Sequence, residues 1–166
     1  MIPRTLFNSD HETFRDTVRK FLEAEAVPNN EEWEKQGVVP REIWLKAGEQ
    51  GFLCPMVKEQ YGGIEADFLY SVVINEEISR LGLTGIGWGL HTEIVAPYIQ
   101  NNGSEFLKEK YLPKMVTGEC IGAIAMTEPG AGSDLQGVKT TAVKQGDHYV
   151  LNGSKTFITN GQNADI

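Results

Sequence analysis

A two-part α+β chain is what the sequence predicts: an all-helical bundle over residues 1–118, then the first strands of an antiparallel sheet over residues 119–166. Three observations predict it. Up to Gly118, apolar residues recur at helical spacing; beyond it, short runs rich in Val and Thr alternate with Gly turns. The last such run is followed almost at once by Ile166, which leaves a small sheet with an unpaired edge and the look of a fragment. With 166 residues, 40% hydrophobic and 23% charged, the chain carries enough apolar surface for a packed core, which excludes wholesale disorder.

The first helix is expected to open on a capping box, Ser9-Asp10-His11-Glu12, and to bury Phe14, Val18, Phe21 and Leu22 as one stripe until Pro28 stops it. Asn30-Glu31-Glu32-Trp33-Glu34 begins a short helix ended by Gly37. Pro40 suits the first turn of the next, with Ile43, Trp44 and Ala47 inward and Gly51 as its stop. Gln60-Tyr61-Gly62-Gly63 reads as loop. Asp67 caps a helix carrying Leu69, Val72 and Val73, closed by Gly82. The stretch Gly85 to His91 is glycine-rich but continues into a helix at Leu90 and Ile94, kinked by Pro97 and ended by Gly103. Glycines there point to close backbone approach by another helix or a ligand. Ser104 caps a last helix with Phe106, Leu107 and Tyr111 inward, before Pro113 and Gly118. Cys120 to Thr127 then reads as a buried strand and Val138 to Val143 as a second. Gln145-Gly146-Asp147 turns the chain into His148 to Leu151, and Asn152-Gly153 suits a tight type I′ turn into Lys155 to Thr159.

Composition narrows the function classes. The formal charge is −8, from 15 Lys plus Arg against 23 Asp plus Glu, and such a surface repels phosphate backbones, so no nucleic-acid partner is expected. An anionic cofactor stays possible, because backbone N–H groups hold phosphate without net positive charge. No apolar run reaches the roughly 20 residues that span a bilayer. Met1-Ile2-Pro3-Arg4 opens neither a secretory nor a transit segment, and the isolated Cys54 and Cys120 read as buried, reduced thiols, so a cytoplasmic protein without metal is expected. Adjacent carboxylates at Glu31-Glu32 and Glu76-Glu77 diverge on their helices and make no acid/base dyad. His11 and His148 read as surface residues, and Trp33, Trp44 and Trp88 as core or interface.

Walker, dinucleotide and HExxH signatures are absent. What remains is Met126-Thr127-Glu128-Pro129-Gly130-Ala131-Gly132-Ser133-Asp134, where a strand end meets a Gly/Pro loop. Such a loop can turn several N–H groups toward one spot, with Thr127 and Ser133 hydroxyls as further donors, which suits a planar polar ring or a phosphate. An ordinary loop between strands favours the same residue types. The wording of this loop, followed by Asn152-Gly153-Ser154-Lys155 and Phe157-Ile158-Thr159-Asn160-Gly161, resembles the flavin-binding signature of the acyl-CoA dehydrogenase family. Gln60-Tyr61-Gly62-Gly63, Gly103-Ser104-Glu105, Lys110-Tyr111-Leu112-Pro113 and Thr117-Gly118-Glu119 fall in that family's order. Phe157 and Ala125-Met126 look most like its long-chain branch.

The resemblance implies a truncated form of that family's fold: the helical domain and the opening of a barrel-like middle β-domain. It implies FAD as cofactor, with Ile124, Ala125, Met126 and Thr127 along the flavin ring and Thr127 at its pyrimidine end. Phe157, Ile158 and Thr159 would pack on the other side, and Gly132 and Ser133 would meet phosphate or pantetheine groups. Phe157 stands where other branches carry Trp; either ring can stack. The reaction implied is α,β-dehydrogenation of a fatty acyl-CoA with electrons passed to an electron-transfer flavoprotein, in a homo-oligomer. The family's base is a Glu of a C-terminal helical domain, so no catalytic residue is assigned here and the chain alone is expected to be silent. Glu128 reads as a solvated or loop-stabilising charge. His91 either shapes the acyl pocket as a substrate contact or is a satisfied structural histidine. Same-fold oxidases or monooxygenases, and a non-catalytic helical binding module, are the competing readings.

Overall fold

The computed structural model describes residues 4–166; Met1–Pro3, part of the stretch read for a targeting segment, lie outside the described residues. Helix α1 (Ser9–Phe21) is capped one residue earlier than expected. The Asn8 side chain accepts from the Asp10 and His11 N–H groups at 3.0 Å each, and the Asn8 N–H donates back to His11 Nδ1 at 3.2 Å. The box is therefore Asn8–His11 rather than Ser9–Glu12. This draws His11 inward, 3% exposed and 4.8 Å from the Tyr70 ring, where a surface histidine was expected.

Pro28 does not stop the chain's helical course. After α1 the backbone widens into a π turn (Leu22–Ala26), tightens into a 3₁₀ turn (Val27–Asn29) and runs on into α2 (Asn30–Gln36). Pro28 sits in the first turn of the 3₁₀ piece, where its missing N–H breaks nothing. Gly37 (φ +71°) ends α2. Helix α3 (Arg41–Glu49) follows Pro40 and buries Ile43, Trp44 and Ala47, as the spacing predicts. Asp67 caps α4 (Phe68–Arg80) through the Leu69 N–H at 2.8 Å. Its inward stripe is Ser71, Val73, Ile74, Glu77 and Ile78, with Leu69 and Val72 only half-buried, because a carboxylate occupies the core-facing row.

Leu90–Val95 form a second π turn that leads into α5 (Ala96–Asn102). The wider turn breaks the expected Leu90–Ile94 row: His91, Thr92 and Val95 face inward and Ile94 is 43% exposed. Ser104 caps α6 (Glu105–Thr117), which runs through Pro113 and ends at Gly118 (φ +79°). Leu112 and Met115 are its buried residues, whereas Phe106 is exposed beneath the Lys110 ammonium.

Two cores result. One joins Val18, Leu22, Trp44, Phe52, Ile74, Trp88 and Ile121; the other joins Cys54, Tyr61, Val95, Leu112, Met115 and Cys120. Both thiols are free and buried. Among the described residues no helix is long and apolar enough to cross a membrane.

Past Gly118 the structure is an open antiparallel pair. Strands β1 (Thr141–Gln145) and β2 (His148–Asn152) pair Thr141 with Asn152 and Gln145 with His148 across a Gly146-Asp147 turn, Gly146 taking φ +63°. The first strand starts later than Val138. Cys120–Thr127 is extended but forms no ladder; the Ala123 N–H reaches only the Ile166 carbonyl, at 2.9 Å. Nor does Asn152-Gly153 make a hairpin. Gly153 has φ +152°, and a Cβ there would lie 2.1 Å from the Thr140 hydroxyl, so the glycine serves a close passage and Lys155–Thr159 runs elsewhere.

Candidate functional site

Lys155–Thr159 runs beside the loop the sequence singles out. The Thr156 N–H donates to the Thr127 carbonyl at 2.9 Å, and Lys155 Nζ donates to the Met126 carbonyl at 3.0 Å and to Glu128 Oε1 at 2.9 Å. Glu128–Ala131 closes as a tight turn, each N–H donating to the other's carbonyl at 2.9 and 3.1 Å. Beneath it the Glu128 carboxylate, 7% exposed, also accepts the Lys139 and Thr140 N–H groups at 2.8 and 2.9 Å. The hydrogen bonds from Thr140, the Lys139 N–H and the Lys155 ammonium hold this carboxyl down at about 2. Glu128 is thus the loop brace of the two readings offered for it, not a solvated charge. Exchanging it for Gln is expected to speed amide exchange at Lys139 and Thr140 while leaving α1 unchanged, which hydrogen-exchange mass spectrometry reads directly.

The predicted ring contacts line an open face. Ala125, Met126, Gly132, Ser133 and Thr159 are exposed, Ile124 and Thr127 are half-buried, and the Phe157 ring is 92% exposed on a backbone with φ +55°. Ile158 points the other way, lining a cleft of about 270 Å³ with Trp33, Val39 and Trp44. Among the described residues no partner takes the N–H groups of Ile124, Ala125, Met126 or Thr127, nor the hydroxyls of Thr127, Ser133 or Thr159. A run of free donors beside an exposed aromatic face matches a flat ring with an acceptor-bearing edge.

His91 stands apart from that face. It has no exposed surface; its Nδ1 accepts the Gly122 N–H at 3.0 Å and its Nε2 donates to the Met115 carbonyl at 3.0 Å. Burial pushes its pKa down to about 4, so the ring is neutral at pH 7 with both nitrogens engaged. It holds the chain two residues before Ile124.

Several holding groups escaped the sequence reading. Arg41 donates to the Glu119 and Asn163 carbonyls at 2.7 and 3.0 Å and to Asp165 at 2.8 Å, tying the final residues to α3. Asn160, although inside a quoted motif, received no role, because its partners lie far off in sequence at Gly87 and Gly122.

Helices followed by an open antiparallel pair, with a row of unpartnered N–H groups beside an exposed aromatic ring, define the class: a helical-plus-β protein with a candidate binding face. The family model for the acyl-CoA dehydrogenase N-terminal domain matches residues 8–119, and that for the middle domain matches residues 123–166. The chain belongs to the acyl-CoA dehydrogenase family. It is 53% identical over 163 residues to the mitochondrial long-chain specific acyl-CoA dehydrogenase of Mus musculus, covering 98% of this chain but 38% of that protein. The crystal structure of acyl-CoA dehydrogenase from Geobacillus kaustophilus superposes with a TM-score of 0.94 at 59% identity, over 98% of this chain and 43% of that one. The acyl-CoA dehydrogenase of Bacillus anthracis, solved in complex with FAD, superposes with a TM-score of 0.84 at 41% identity, over 96% and 28%. The chain therefore spans well under half the length of these relatives.

Proposed function

We infer that this chain is the N-terminal piece of an FAD-dependent acyl-CoA dehydrogenase, its helical domain at 1–118 and the opening of its β-domain at 119–166. The parent reaction is α,β-dehydrogenation of a fatty acyl-CoA, with electrons leaving to an electron-transfer flavoprotein. The observation that carries this reading is the unpaired donor row Ile124–Thr127 beside the exposed Phe157 ring, on the family's own motif.

When bound, FAD supplies the acceptor for the hydride that leaves the β-carbon. The residues here bind and orient. Alternate N–H groups of the extended Ile124–Thr127 segment and the Thr127 hydroxyl would hold the pyrimidine edge, Phe157 and Thr159 would cover the ring, and the Gly132-Ser133 turn would meet phosphate or pantetheine. The α-proton needs a carboxylate base. Glu128 is a poor candidate, since three donors already hold it ionised. We therefore place the base in the part of the parent protein beyond this chain, and read the 166 residues alone as catalytically silent. Tyr149 and Leu151 stand exposed on β2, which favours self-association. Cytoplasmic placement stays part of the proposal, against the mitochondrial name of the mouse relative; cell fractionation of the source organism decides it.

The test is a polypeptide extended past Ile166 and supplied with FAD. Flavin absorbance should survive desalting, and acyl-CoA should reduce an added dye. A colourless, folded product sinks the reading. Phe157→Ala is expected to weaken FAD binding about fivefold, since an aromatic stacking contact contributes on the order of 1 kcal/mol; titration by flavin fluorescence checks it.

A further inference from the structure

The face that carries the free donors poses a mechanical problem. Ala125, Met126, Phe157 and Thr159 are exposed, and only Ile124 and Ile158 give the two segments packing of their own, so packing alone does not set the distance between them. Cross-links complete it. At one end of the face the Thr156 N–H bonds the Thr127 carbonyl at 2.9 Å and Lys155 Nζ the Met126 carbonyl at 3.0 Å. At the other end Phe157–Thr159, with Phe157 at φ +55°, makes no backbone bond to Ile124–Thr127; the backbone bonds there lie further along, from Ala123 to Ile166 and from Asp165 to Ile121.

Asn160 supplies the second rung with its side chain. Its Nδ2 donates to the Gly122 carbonyl at 3.2 Å and to the Gly87 carbonyl at 3.0 Å, so both amide hydrogens are used. Its own backbone sits at φ +64°, which Asn tolerates better than most residues, and its carbonyl accepts the Asn163 and Ala164 N–H groups at 2.8 and 2.9 Å. The amide lies where a side chain at position 87 would be: a Cβ on Gly87 would fall 1.9 Å from Asn160 Oδ1. Gly87 therefore has to be glycine for Asn160 to seat.

We propose that Asn160, seated against Gly87, is the positioning residue that sets the gap between Ile124–Thr127 and Phe157–Thr159 and anchors that gap to the helical body. It acts through Gly122 and Gly87 and touches no ligand. The importance of the gap for a ring ligand rests on the flavin reading above; the clamp itself does not.

Two measurements separate them. In this 166-residue chain the amides of Ala123, which shares a peptide group with the Gly122 carbonyl, and of Thr156 report the two rungs, whereas the Gly122 N–H is held by His91. Asn160→Gly keeps the positive φ easy but removes both donors, and Asn160→Asp keeps the shape but turns acceptors toward two carbonyls. Losing these part-buried bonds should speed exchange at these amides about tenfold, with α1 amides unchanged. Gly87→Ala should do the same, and Gly87→Ala combined with Asn160→Gly should be no worse than Asn160→Gly alone, because the clash partner is gone. Unchanged exchange at Ala123 and Thr156, or losses from the two positions that simply add, overturns the clamp. In the FAD-loaded extended polypeptide, Asn160→Gly should change the shape of the visible circular dichroism of the flavin while the unfolding midpoint hardly moves. An unchanged band overturns the positioning role. An extended polypeptide with no flavin overturns the functional reading instead, and with it the positioning role, leaving the clamp to the exchange data.

Discussion

Glu77→Gln is expected to lower the unfolding free energy by about 3 kcal/mol at pH 7, the scale on which removing one partner strands buried charge. The Glu77 side chain is 2% exposed and sits among three arginines. Its Oε1 accepts from Arg19 at 2.9 Å and Arg15 at 3.3 Å, and its Oε2 accepts from Arg19 at 2.9 Å and Arg80 at 2.8 Å. Arg19 grips both oxygens in a fork, which joins α1 to α4. A glutamine keeps the shape but points N–H groups at guanidinium donors. Water reaches Arg19 and Arg80, which keeps the loss near the lower end of the range.

The pH dependence identifies the same group. Burial alone would raise the Glu77 carboxyl, but the hydrogen bonds from Arg19, Arg80 and Arg15 outweigh it and hold it at about 2, against an ordinary 4.5. A depressed carboxylate stabilises the fold above its unfolded value, and that contribution is lost as pH falls from 4.5 toward 2. Urea unfolding of the parent chain between pH 5 and pH 2 should show this acid limb, and Glu77→Gln should flatten it. An unfolding free energy within error of the parent at pH 7 would contradict the account.

Glu77 also shows why part of the fold was hidden in the sequence. Local signals were legible: Asp67 and Ser104 cap their helices, Gly37 and Gly118 end theirs, and Val18 and Leu22 bury as their spacing requires. Each depends on residues a few positions apart. The α4 stripe was misplaced because a carboxylate looks like a solvent-facing residue until its partners, 58 and 62 positions away, are known. The inward face of α6 was misplaced for the converse reason. Phe106 looks like core yet lies under a lysine at the surface. The site divides in the same way. Thr127 to Ser133 and Phe157 to Thr159 were singled out as candidates from their wording, through resemblance. The groups that hold them were not, since His91, Asn160 and Arg41 bind backbone carbonyls and N–H groups, and a backbone partner leaves no residue type to recognise.

His91 supplies the second large effect. His91→Phe keeps a ring of similar size but leaves the buried Gly122 N–H without a partner and the Met115 carbonyl with the Gly118 N–H alone, a loss of about 2 kcal/mol. The ring also packs edge-on to Trp44 at 5.3 Å, a contact that phenylalanine retains, so the loss reports the nitrogens rather than the volume. The pH signature differs from that of Glu77. Burial holds the imidazole pKa at about 4, against an ordinary 6.5, so the unfolded chain binds a proton between those values that the folded chain refuses. Stability from this group is complete above pH 6.5 and declines as pH falls toward 4; integrated, the decline is on the order of 3 kcal/mol. Below 4 the folded ring protonates, and Nδ1 can no longer accept from Gly122. The chain should therefore show two acid limbs, one between pH 6.5 and 4 removed by His91→Phe and one between 4.5 and 2 that Glu77→Gln reduces but does not remove, since Glu128 is also held at about 2. Because Gly122 leads directly into the donor row at Ile124, the upper limb should coincide with faster exchange of the Gly122 amide in the intact chain, whereas the lower limb should open α1 against α4. Seeing both limbs disappear in either single variant would mean that the two cores unfold as one unit at acid pH, and that His91 does not control the junction separately.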